Sequence, residues 1–138
     1  MLKVTADTNI YISAFNFGGK PRAILELARA GQIKLAVSNA ILTEVSRILH
    51  NKFHWTRDDV HDAVDLVLAF TNYVHPYEKI DAVPTDPDDN RVLECAVKAG
   101  SGVIVTGDTD LLFLRRFRGI EIIGPSDFLA DFTPEEGR

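Results

Sequence analysis

Leu2-Lys3-Val4-Thr5-Ala6-Asp7-Thr8-Asn9 and Gly102-Val103-Ile104-Val105-Thr106-Gly107-Asp108-Thr109-Asp110 repeat one pattern, a short β-type apolar run that stops at an acid. The carboxyl ends of parallel strands share one edge of an α/β sheet, which is where such folds bind ligands. Asp7 and Asp108, nearly a chain length apart, are therefore expected side by side. Glu44 and Asp89 lie between them, one on a helix edge and one in the crowded segment Asp86-Pro87-Asp88-Asp89-Asn90. Four carboxylates placed in this way point to an oxygen-ligand metal site.

The rest of the chain alternates. Residues 2–6 read as a strand, 21–31 as a helix closed by Gly31, 33–37 as a strand and 39–51 as a helix. Thr56 starts a long helix to about residue 72, with Asp59 as a capping-box-like acid and Val60, Val64, Val67 and Leu68 as its apolar stripe. A short strand at 73–75, a turn-rich stretch and a helix from Pro87 to Ala99 follow. The strand 102–106, a short helix near 109–117, the strand 120–123 and a helix at 125–132 complete the order. This predicts an α/β fold, a mostly parallel central sheet of four to five strands flanked by helices. One domain is expected over 1–132, with a disordered acidic tail at 133–138.

A chain of 138 residues can bury roughly 70% of the surface it exposes when unfolded, enough for a sizeable core. No apolar run approaches the ~18 residues of a membrane span and no signal-peptide pattern opens the chain, so a cytoplasmic protein is expected. The single cysteine, Cys95, cannot form an intrachain disulfide and reads as a small buried core residue. Twenty acids against fifteen bases give a net charge of −5, which argues against phosphate recognition by a basic surface. Counting Asp110 with Asp7, Glu44, Asp89 and Asp108, the acids of the proposed site soften that objection, because two divalent ions would supply about +4 there.

Each acid also has a plainer reading. Asp7 and Asp108 could cap the helices that follow them, and Thr8 and Asn9 could hold the Asp7 carboxylate and its bound water through their side chains. Glu44 falls roughly 100° from the centre of the Ile41, Val45, Ile48 stripe, on the boundary between a solvated face and a pocket. Pro87 suits a first helical position, which makes Asp86 the natural N-cap. Three acids in four residues exceed what a cap requires, and like charges this close repel unless a cation or helix dipole compensates. Asp89 is accordingly the ligand candidate of that segment, and Asp110 an undecided fifth acid.

Together, Val4-Thr5-Ala6-Asp7-Thr8-Asn9, Ser38 with Glu44-Val45, Asp86 to Asn90 before Leu93-Glu94-Cys95-Ala96, and Val105 to Leu112 resemble a PIN-domain ribonuclease of the VapC-like toxin branch. The resemblance covers almost the whole chain. It implies Asp7, Glu44, Asp89 and Asp108 as the catalytic, metal-binding quartet, Asn9 and Thr106 as supporting polar groups, and Asp110 as a further ligand. It implies Mg2+ or Mn2+ as cofactor and hydrolysis of an RNA phosphodiester by a metal-activated water, leaving 5′-phosphate and 3′-hydroxyl ends. It also implies a homodimer and a small inhibitory antitoxin as partner of a toxin–antitoxin pair.

Other constellations carry less. His50 and His54 stand four apart, but Lys52-Phe53 replaces the acidic centre of a zinc-protease helix. Gly100-Ser101-Gly102 precedes a strand instead of following one, so it is no dinucleotide loop. RNA contacts are expected from Lys20 and Arg22 in a flexible Phe15–Arg22 loop and from Arg115 and Arg116, while Phe53 and Trp55 suit a dimer or antitoxin surface. The alternatives are a non-catalytic PIN-fold interaction module and a PIN nuclease of RNA processing with no toxin role. A receiver-type phosphorylation domain ranks last, since Thr106 and Gly124 follow the strands where it needs a lysine.

Overall fold

Val4, Leu35 and Ile104 lie in strands whose middles are buried, the mark of parallel strands covered on both faces. The computed structural model describes residues 1–133. In chain order it contains β1 (Lys3–Ala6), α1 (Thr8–Asn16), α2 (Gly19–Arg29), β2 (Lys34–Ser38), α3 (Asn39–Asn51), α4 (Arg57–Phe70), β3 (Thr71–Val74), α5 (Pro87–Ala99), β4 (Val103–Val105), α6 (Thr109–Leu114), β5 (Arg116–Phe117), β6 (Ile120–Ile123) and α7 (Pro125–Asp131).

The sheet order is β3-β2-β1-β4-β6-β5. The pairs β1–β2, β1–β4, β2–β3 and β4–β6 are parallel, and β5 adds antiparallel to β6 at one edge. From β1 the chain builds outward through β2 to β3, then returns to build β4 and β6 on the other side. The order reverses between β1 and β4, and a crevice opens above their carboxyl ends. Ala6 is in register with Val105, so the residues after both strands emerge together.

Several expectations need correction. Thr8–Asn16 is a helix, and α2 begins at Gly19, so the stretch expected as a flexible loop from Phe15 to Arg22 is mostly helical. Thr8, Ile10, Tyr11, Ile12 and Ala14 of α1 are all buried, which erases the one-sided apolar stripe that reveals a surface helix. The helix expected to run to 117 stops at Leu114, because Arg115 turns the chain with φ 61° and releases β5. That two-residue edge strand brings the sheet to six. Beyond residue 133 the expected acidic tail lies outside the described residues. Among those described, no helix is long and apolar enough to cross a membrane.

Candidate metal centre

Asp7 is held by the end of β4 on one side and by the first turn of α1 on the other. Its backbone N–H donates to the Val105 carbonyl at 3.1 Å. Its Oδ1 caps α1, accepting from the backbone N–H groups of Asn9 at 2.7 Å and Ile10 at 3.2 Å. Its Oδ2 accepts from the buried Thr106 hydroxyl. Thr106 Oγ1 in turn accepts the Asp108 N–H at 2.9 Å, so one hydroxyl links the first acid to the last. Burial raises the Asp7 pKa against these hydrogen bonds, which favour the carboxylate.

Asp108 caps α6 through the Asp110 N–H at 2.9 Å. Asp86 caps α5, accepting from the Asp88 N–H at 3.1 Å, with Pro87 at the first helical position. Capping does not exhaust either side chain. Asp86, Asp89 and Asp108 each place a carboxylate oxygen within 4.8 Å of the others. Asp89 is only 6% exposed, and its Oδ2 is buried with no hydrogen-bond partner. Burial, then the Asp108 carboxyl, pushes the Asp89 pKa up to about 9. A buried unpaired acceptor among like charges is costly unless it is protonated or meets a cation.

Glu44 approaches from α3, across a cleft of about 270 Å³ that Asp7, Asp86, Asp88, Asp89 and Asp108 also line. Burial and a carboxyl–carboxyl hydrogen bond with Asp88 raise its pKa to about 7, while the Thr8 side chain and Arg47 pull the other way. The Arg47 guanidinium lies 3.7 Å from it. The four acids expected to form a site thus share one cleft. Oxygen ligands of high negative charge and an orphaned buried oxygen fit a hard divalent ion.

A family model described as the PIN domain matches residues 3–110. The chain belongs to the PIN-domain family. Its fold is similar to the crystal structure of VapBC2 from Rickettsia felis bound to a DNA fragment from their promoter, with a TM-score of 0.66 and 16% sequence identity, covering 89% of this chain and 98% of that one. At that identity the likeness is one of fold. No curated protein matches the sequence significantly.

In this PIN domain some supporting groups act differently from expectation. Asn9 holds Asp7 by its backbone N–H, and Thr8 turns its side chain to Glu44. Asp110 is exposed and stands outside the trio of converging acids, its carboxylate instead accepting from the Thr85 hydroxyl at 3.4 Å. Asp86, expected mainly as a cap, is both cap and member of that trio. His50, in the last turn of α3, places its Nδ1 2.9 Å from the Trp55 carbonyl, and His54 stands in the turn that follows with φ 60°, so the pair belongs to the end of α3 and its exit. Cys95 is fully buried, and burial pushes its thiol up to about 12.

None of the four cations expected to meet RNA lines the acidic cleft of the PIN domain. Lys20 donates to Ser126 at 2.8 Å, Arg22 lines a groove between α1, α2 and α4, and Arg115 and Arg116 stand at the β5 edge. Arg47 is the cation on the cleft, and sequence reasoning missed it. Its signal was the i,i+3 spacing from Glu44, which puts both on one helix face. Trp55 also turns inward, its indole N–H donating to Asn16 Oδ1 at 3.1 Å and its ring meeting Phe15 edge-on.

Proposed function

We propose that this PIN domain is a Mg2+- or Mn2+-dependent endoribonuclease, the toxin of a toxin–antitoxin pair. One observation carries the nuclease reading: three acids converge within 4.8 Å around the buried, unpartnered Asp89 Oδ2. Asp89, Asp108 and Asp86 would hold the ion, with Asp7 and Glu44 completing the acidic walls. A bound divalent cation supplies positive charge against the phosphate and lowers the pKa of water. The chain's own contribution is placement. Thr106 and the first amides of α1 hold Asp7 in one rotamer, and Thr106 also fixes the backbone of Asp108. Glu44, whose pKa burial raises to about 7, offers on the same cleft a carboxyl able to take a proton at neutral pH.

The toxin reading draws support from fold likeness to a structure described as VapBC2. A small antitoxin and a homodimer belong to that reading, and a PIN nuclease of RNA processing is its alternative. The test incubates purified protein with total RNA in Mg2+, Mn2+ or EDTA and maps the ends. Cleavage with either ion but not with EDTA, giving 5′-phosphates and lost in Asp108→Asn, is the expected result. Neither cleavage nor Mn2+ binding would leave the interaction module. Growth arrest on expression, relieved by the product of an adjacent short reading frame, separates a toxin from a processing enzyme.

A further inference from the structure

Residues 75–86 connect β3 to α5 without helix or strand, so their backbone groups must find partners elsewhere. Three side chains of α5 provide them. Asn90 Oδ1 accepts from the N–H groups of Ala82 at 2.9 Å and Val83 at 2.8 Å, while its Nδ2 donates to the Val83 carbonyl at 2.9 Å. Glu94 Oε2 accepts the Ile80 N–H at 3.0 Å, and Arg91 donates to the Ile80 carbonyl at 3.3 Å. Asn90 is 3% exposed, and Ile80 and Val83 are buried plugs on either side of the grip. The Val83 carbonyl has a second donor, the backbone N–H of Asp86 at 3.2 Å. Asn90 and Asp86 therefore meet on one oxygen. An amide side chain alone offers an acceptor for two N–H groups and a donor for that carbonyl in one planar unit.

We propose that Asn90 is a positioning residue of the metal centre: by gripping Ala82 and Val83 it fixes the strap that sets Asp86 beside Asp89 and Asp108. The proposal rests on reading the acid cluster as a divalent-metal site. Groups that orient ligands in this way are worth about 10- to 100-fold in metal affinity. The probe is Mn2+ alone, titrated into the full chain and followed by electron paramagnetic resonance, with amide exchange measured in parallel. Asn90→Ala should weaken Mn2+ binding about tenfold and speed exchange at Ala82 and Val83. Glu94→Ala, which releases the Ile80 N–H and the Arg91 guanidinium but leaves the Asn90 grip intact, should do so by a smaller factor and serves if the first variant folds poorly. Ile24→Ala on α2, a core truncation outside the cleft, should lower the melting temperature and leave Mn2+ affinity unchanged. Faster exchange with unaltered Mn2+ affinity in both strap variants would make Asn90 a structural residue and overturn the proposal. Mn2+ binding by the unaltered chain without RNA cleavage would sink the nuclease reading alone; no Mn2+ binding would sink both.

Discussion

The Thr106 hydroxyl donates to Asp7 Oδ2 across a separation of 99 residues, tying the end of β4 to the end of β1 beneath the acidic cleft. The same oxygen accepts the Asp108 N–H, so removing it affects both acids. Thr106→Val keeps the shape and leaves the Asp108 N–H without that acceptor. Losing partners of buried groups costs about 1–3 kcal/mol, and a disturbed outer shell lowers metal affinity by about tenfold or more. Denaturant unfolding and Mn2+ calorimetry on Thr106→Val check the two figures separately.

The pH dependence of the metal-free protein follows from the raised carboxyls. Glu44, at about 7, and Asp89, at about 9, are neutral more readily in the folded chain than in the unfolded one. Their contribution favours folding fully below the ordinary carboxylate pKa and is lost as pH rises through those two values. In EDTA the melting temperature should fall between pH 5 and pH 9. A divalent ion needs the deprotonated ligands, so its affinity should rise over the same range and added Mn2+ should flatten or reverse the trend. A metal-free melting temperature that climbs toward pH 9 would contradict the crowding of these acids.

Asp89→Asn isolates one member of that crowd. In the unfolded chain Asp89 is ionised at neutral pH, and folding draws a proton onto it because burial and Asp108 oppose its charge. Asparagine has no charge to give up. The variant should gain about 0.5–2 kcal/mol in EDTA at pH 8, little at pH 4, and should lose Mn2+ binding, the trade expected where a site is held against stability. Thermal melts at both pH values, with and without Mn2+, show whether stability and binding move in opposite directions.

These acids were legible in unequal measure. Asp7 and Asp108 end two like apolar runs, and sheet topology alone brings such ends together, so their meeting follows from pattern. Asp86 was hidden by its own cap, because a role that satisfies one oxygen says nothing of the other. The helix α1 escaped because its burial nearly all round leaves no periodicity, and β5 because two residues cannot show one. Asn90 was invisible for a different reason: its partners are backbone groups of an irregular segment, which carry no residue identity at all.

Arg47 yields the last prediction. It lines the cleft, its side chain is 58% exposed, and its contact with Glu44 at 3.7 Å is loose enough to yield to a stronger anion. A surface pair of this kind contributes little to stability, about 0–1 kcal/mol. In the proposed nuclease, an arginine beside the acidic cleft is well placed for a phosphate next to the one to be cleaved, since guanidinium binds phosphate through paired N–H groups. Arg47→Gln should weaken binding of a short single-stranded RNA and lower the slope of log affinity against log salt by about one, with the melting temperature nearly unchanged. Lys20→Gln and Arg116→Gln, on residues outside the cleft, form the comparison. If either moves the salt slope and Arg47→Gln does not, the strand runs along the sheet edge or α2 and not past α3.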